Sequence, residues 1–227
     1  MLKKMTAIII CALFMVSCSA IMMTREEKCK KADKFLSMAA LVENTNPQLA
    51  IKHTLDAIDL CPNGMKYAYL GILYKRLGNN EEANKNSEIA LGMEPNNVFV
   101  LDRVAFLYYS SAKYNEAILL LGRALSIQPN DAFAREILAT IYIIQRELKK
   151  GESELLKNIL NNPNFALSYY TLGKLYMDEL TDHEKAHEYL SKHLSLEKDH
   201  KAFSFMDAQK RLETLKNRMQ ILRKDKK

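Results

Sequence analysis

GMKYAYLGILYKRLGNNEEANKNSEIALGMEPN, residues 64–96, is the stretch from which the rest of the chain can be read. Its landmarks return at a fixed step. Tyr74, Tyr108, Tyr142 and Tyr176 are 34 residues apart. So are Leu70, Val104, Leu138 and Leu172, and the small residues Gly71, Ala105, Ala139 and Gly173. Ala50, Ala83 and Ala117 form a further series, as do Ala57, Ala90 and Ala124, and Pro62, Pro95, Pro129 and Pro163 close the units. One register satisfies all of these, with a single one-residue shortening in the first unit.

The residue types explain themselves physically. Each unit reads as two amphipathic helices joined by a tight turn. In the first helix a small residue lets a neighbour approach and a tyrosine fills the space beside it. In the second, two alanines seven apart lie on one face. Proline then ends the helix, since it lacks an N–H and clashes with the preceding turn. Neither helix buries its apolar stripe alone, so successive units must stack.

Leu70, Gly71, Tyr74, Ala83, Ala90 and Pro95 resemble the signature of the tetratricopeptide repeat. The resemblance implies an all-α fold, a right-handed superhelix of about five helix-turn-helix repeats: 31–63, 64–97, 98–131, 132–165 and 166–200, within a region 24–200. Departures fall at the edges. Met38 stands in the first repeat where a small residue is usual. Gly151 and Asn158 replace alanines in the fourth, so its second helix is expected to be shifted or frayed. The fifth carries an extra residue near Thr181–Asp182 and ends without proline. Residues 202–223 read as a long amphipathic capping helix, with Phe205, Ala208, Leu212, Leu215, Met219 and Leu222 at spacings of three and four. An overhanging end would be able to pair with a second copy.

The chain begins MLKKMTAIIICALFMVSCSA. Lys3 and Lys4 precede an apolar run, Met5 to Val16, of signal-peptide length and too short to span a bilayer comfortably. Met15-Val16-Ser17-Cys18 resembles the lipobox of bacterial lipoproteins. That resemblance implies a signal peptide at 1–17, lipidated (palmitate-type) Cys18, a short tether at 18–23, and a lipid-anchored protein facing the periplasm, with the outer membrane favoured by Ser19. An ordinary secretory signal cut near Ala20 is the alternative. The formal charge of +6 is concentrated at one end. Residues 201–227, the capping helix with its basic tail, hold nine Lys/Arg and three Asp/Glu, and the body between is near −2. Such a run reads as a solvated helix end, contact with an anionic surface being the other option; nucleic acid is not expected as a partner.

HEKAHEYLSKH, residues 183–193, resembles a zinc-protease signature. The period places it at the start of the second helix of repeat five. His183 and His187 lie one turn apart, but Leu190 continues the helix where that protease family turns back at glycine. His193 then lies about 9 Å beyond His187, too far to share zinc at about 2.1 Å. A zinc hydrolase is therefore the remote reading. No catalytic residue, metal or cofactor is expected: the chain has no Gly-rich phosphate loop and only seven glycines.

Cys29 and Cys61 flank the first hairpin, each sixteen residues from a turn centred near residue 45. Antiparallel helices bring them level, so a disulfide is expected, with two buried free thiols as the alternative. In the tetratricopeptide family the first helices line a concave face that commonly binds partners. Positions 2, 5, 9 and 12 of the repeats put Phe35, Ala39 and Val42 there, then Met65, Ala68, Ile72 and Lys75, then Phe99, Asp102, Phe106 and Tyr109. Phe133, Glu136, Thr140 and Ile143 follow, with Leu167, Tyr170, Lys174 and Met177 last. Ile72, Lys75, Phe106, Tyr109, Thr140, Ile143, Tyr170, Lys174 and Met177 are the expected partner-binding set. The expected function is a non-catalytic, membrane-anchored adaptor binding a protein or peptide, similar in plan to tetratricopeptide lipoproteins of pilus assembly or cell-wall enzyme control. Self-association through the C-terminal helix is the alternative.

Overall fold

The computed structural model describes residues 23–224. The expected signal peptide, Cys18 and all but the last residue of the tether lie outside the described residues. No helix among the described residues is long and apolar enough to cross a membrane. The fold is all-α: the described residues form eleven helices and no strand. The chain divides into two compact units, the first ending at Glu94 and the second starting at Pro95.

The first unit holds α1 (Arg25–Val42), α2 (Pro47–Leu60), α3 (Gly64–Arg76) and α4 (Asn80–Met93). Thr24 and Glu27 form a capping box at the start of α1. Asn46, Asn63 and Asn79 cap the next three helices through their side chains, each cap contributing about 1 kcal/mol. Helices pack in chain order around Ala39, Ala50, Ile51, Ile58, Leu70 and Leu73. Gly64 admits no side chain, since a Cβ there would lie 2.8 Å from the Ala90 carbonyl oxygen. Cys29 and Cys61 are bonded, with Cα atoms 5.0 Å apart, tying the second turn of α1 to the end of α2.

The second unit holds α5 (Val98–Ser110), α6 (Tyr114–Ile127), α7 (Ala132–Ile144), α8 (Leu148–Asn161), α9 (Ala166–Asp178), α10 (His183–Leu196) and α11 (Phe203–Lys224). The turns inside the hairpins, 111–113 and 145–147, span three residues and reverse at Ala112 and Arg146, both with positive φ (57° and 64°). In the last hairpin the turn is 179–182, one residue longer, with Thr181 at φ 55°. The extra residue noted near Thr181 therefore sits in the turn and leaves both helices regular.

One expectation is corrected here. The second helix of the fourth repeat is neither shifted nor frayed: α8 is continuous over Leu148–Asn161. Gly151 fits there because Ile143 occupies the alanine methyl's space, 2.6 Å from where a Cβ would stand. Asn158 is fully buried, yet its amide donates to the Ala132 carbonyl and the Ser168 hydroxyl, both at 2.9 Å. Ser168 in turn donates to Glu136, as does Thr171 from α9. This hydrogen-bonded network joins α7, α8 and α9, and a buried polar group with its partners supplied carries little penalty.

Candidate partner-binding groove

In the second unit the first helices of successive hairpins touch in a row, α5 to α7 to α9 to α11. The second helices α6, α8 and α10 do not touch one another. The row of first helices is therefore the crowded, inner side of this unit, and its solvent face is the candidate groove.

Position in the repeat decides what reaches that face. The fifth position does not: Ala68, Asp102, Glu136 and Tyr170 are 1%, 7%, 3% and 7% exposed. These side chains wedge into the packing below. Tyr170 thus departs from the expected lining set. Its hydroxyl donates to Asp207 of α11 at 2.9 Å, and the capping helix covers it. The ninth and twelfth positions are half-buried, and they supply Phe106, Tyr109, Thr140, Ile143, Lys174 and Met177. Phe106 contacts both Tyr109 and Phe133, with ring centroids 6.2 and 6.1 Å apart. Ile72 and Lys75 are also half-buried but belong to the first unit, where Lys75 donates to the side chain of Asn80 at 2.9 Å.

Tyr109, Thr140, Ile143 and Lys174 meet at a cavity of about 380 Å³, near the lower end of the size range of ligand sites. Ile144, Leu175 and Thr171 complete its wall, and Asp178 and Glu179 stand at its edge. Both carboxylates are neutralised internally. Arg211 of α11 holds Asp178 at 2.7 Å, and Arg146 pairs with Glu179. Lys174 places its ammonium 5.3 Å from the centre of the Tyr170 ring. The floor is thus apolar, with one cation poised on an aromatic face and acids already paired. Sequence reasoning did not reach the Asn158–Ser168–Glu136–Thr171 network under this floor. A polar residue at a second-helix alanine position, Asn158, was the signal available.

Asp102 lies beneath the same face with its Oδ1 lacking a hydrogen-bond partner. Burial, and then the neighbouring Asp131, push its carboxyl up to about 7. Between the ordinary value of 3.8 and that point, the unfolded chain releases a proton that the folded chain keeps. Folding stability at this residue therefore falls as pH rises through that window. Asp102→Asn is expected to raise the thermal midpoint at about pH 8 and to leave it nearly unchanged at about pH 3. Thermal melts by circular dichroism at the two pH values check this.

The zinc-like segment is a helix start. Asp182 caps α10, and the helix runs unbroken through Leu190 and His193, both fully buried. The His193 Nδ1 donates to the Ala166 carbonyl at 3.0 Å. Among the described residues no three His, Cys, Asp or Glu side chains are grouped to hold a metal.

Stacked helical hairpins with a common inner row define a helical-repeat protein. Residues 166–200 match the sequence model of the tetratricopeptide repeat family. They are a tetratricopeptide repeat, and the chain has the tetratricopeptide-repeat fold. A thermophilic TPR protein of Thermus thermophilus, TTC0263, is 17% identical, with a TM-score of 0.68 over 81% of this chain and 98% of that one. PilF of Pseudomonas aeruginosa is 16% identical, with a TM-score of 0.66 over 87% of this chain and 93% of that one. PilW, a widely conserved type IV pilus biogenesis factor, is also 16% identical, with a TM-score of 0.66 over 84% and 92%. The chain spans 38% of the length of a matching chain in the Cut9–Hcn1 hetero-tetramer of the APC/C. No curated protein sequence matches it.

Proposed function

We propose that this protein is a non-catalytic adaptor that binds a partner protein or peptide in the groove of its second unit, at the periplasmic face of an envelope membrane. The observation that carries the reading is the half-buried aromatic and aliphatic row on the inner helices, opening onto the cavity at Tyr109, Ile143 and Lys174. Apolar side chains kept at a concave surface, with their charged neighbours already paired, suit the apolar stripe of an amphipathic helix or the alternate side chains of an extended peptide. The lipobox-like Met15–Cys18 supports a lipid anchor at Cys18, and with it export to a compartment in which the Cys29–Cys61 bridge persists. The likeness in fold to PilF and PilW supports a task in envelope assembly, pilus-type machinery or control of cell-wall enzymes.

Crosslinking in the native envelope, followed by capture of the wild-type chain and of a Phe106→Glu, Tyr109→Glu variant, tests this. The variant is expected to keep its helical content and to lose at least tenfold of its principal crosslinked partner, since each buried aromatic at an interface centre accounts for about 2 kcal/mol or more. An unchanged partner profile from the folded variant would show that the groove is not the binding surface.

A further inference from the structure

We infer that the segment held in this groove is acidic: an extended stretch of the partner protein with two Asp or Glu side chains about six residues apart, one meeting Arg103 and the other Lys174. The inference rests on the groove reading above and adds the chemistry of the occupant. A continuous line of contacts joins the two cations. Arg103 on α5 lies over the Phe99 ring, 4.8 Å from its centre, and 6.0 Å from that of Phe133 on α7. Phe133 meets Phe106, and Phe106 meets Tyr109. Tyr109 then shares the cavity wall with Lys174 of α9. From α5 to α9 there are two helix spacings of about 9 Å, so the cations stand roughly 20 Å apart.

The acids around this line are already occupied, and the two cations are not. Among the described residues neither Arg103 nor Lys174 forms an ion pair; each is half-buried and rests on an aromatic ring. Asp178 is held by Arg211, Glu179 by Arg146, and Asp207 accepts from Arg211 and Tyr170. Glu136 is covered and accepts from Ser168 and Thr171, and Asp131 caps α7. Asp102, beside Arg103 in sequence, is turned into the packing, and burial pushes its carboxyl up to about 7, so near neutral pH it is a weak counter-ion. A cation partly stripped of water over a ring gains more from a carboxylate than an exposed one does. The ring spacing selects an extended chain. The centres of Phe133, Phe106 and Tyr109 follow one another at 6.1 and 6.2 Å. Alternate side chains of an extended segment share a face at about 6.7 Å, so apolar residues at alternate positions fall on successive rings, and about six residues cover the distance between the cations.

Two libraries of random twelve-residue peptides test this, one displayed with both ends embedded in carrier protein and one with a free C-terminus. Both are panned on residues 23–227, which hold every described helix. The embedded library is expected to yield binders with two acids about five to seven positions apart and apolar residues between them. For a selected binder synthesised with both ends blocked, Arg103→Gln and Lys174→Gln are each expected to weaken affinity at least tenfold, and the pair about a hundredfold. Lys174→Arg is expected to retain most of the affinity, and the wild-type affinity to fall as salt rises. Binders without acids, undiminished binding by the folded Gln variants, or no binder from the embedded library overturns the proposal. Binders from the free-C-terminus library alone overturn it too, since they would make Lys174 a receptor for a terminal carboxylate. The envelope crosslinking separates this result from the groove reading. A partner lost in the Phe106→Glu, Tyr109→Glu variant but kept in Arg103→Gln, Lys174→Gln leaves the groove standing and sinks the acidic occupant; loss in both supports it.

Discussion

Removal of α11, residues 203–227, is expected to abolish cooperative folding of the last hairpin. The helix places Leu212 and Leu215 against a cluster that includes Leu172, Leu175, Tyr176 and Leu190. Burying two leucines contributes about 3–6 kcal/mol, and Ala208 and the ring of Tyr170 add to it. The loss is a large share of the 5–15 kcal/mol that typically separates folded from unfolded domains. Urea titration should show a lower midpoint with a separate early transition, and amide exchange should localise that transition to α9 and α10. The ion pairs on the helix are a smaller matter. Arg211 bridges Asp178 and Asp207, but Asp178 is well exposed, and such pairs contribute at most about 1 kcal/mol. They give the docking a pH dependence all the same. Burial acts to raise the Asp207 carboxyl, but hydrogen bonds from Arg211 and Tyr170 outweigh it and hold it below the usual carboxylate range. Its stabilisation is present above the ordinary carboxyl value and lost as pH falls through the lowered one. An intact urea midpoint in the truncated chain would show that the repeats cap themselves.

Replacing Cys29 and Cys61 together by alanine is expected to destabilise the first unit by about 3–4 kcal/mol, from the closure entropy of a loop of 32 residues. The reason lies in the position of α1. Within its unit α1 packs mainly against α2, and its fully buried residues are just Ala32 and Ala39. So little apolar area does not hold an eighteen-residue helix against its loss of chain entropy. The bridge supplies what a preceding hairpin would supply elsewhere. Denaturation with and without reductant should show the wild-type chain falling to the double variant's midpoint on reduction, and the variant not responding. A reductant-insensitive wild type would mean that the bridge contributes no stability.

Some of this architecture is legible in residues alone. The 34-residue step is visible because close helix packing favours small groups at Gly71, Ala83, Ala90 and most of their counterparts, with Met38, Asn158 and His193 as exceptions. Helix starts are legible for a local reason: Thr24, Asn46, Asn63 and Asp182 satisfy backbone N–H groups three residues away. The capping helix was expected over 202–223 and spans Phe203–Lys224. The packing role of His193 was likewise legible, because the repeat assigns it to an inward position, where it is fully buried.

The candidate groove was legible only in part. Phe106, Tyr109, Thr140, Ile143 and Lys174 share a face by spacing, but spacing does not say how deeply a face is buried. Tyr170 occupies the same register as Asp102 and Glu136, and all three are covered by the neighbouring first helix or by α11. At Gly151 and Asn158 a repeat pattern built on alanine predicts damage. Ile143, which fills the space a methyl would take at Gly151, and partners for Asn158 from Ala132 and Ser168 remove it. The sequence by itself determined the periodic helices, their caps and their order, since each depends on contacts a few residues apart or on a constraint repeated in every unit. Only the tertiary structure decided which of the inward positions stay open and how the polar ones are satisfied, because those outcomes depend on side chains brought together from helices some thirty residues apart.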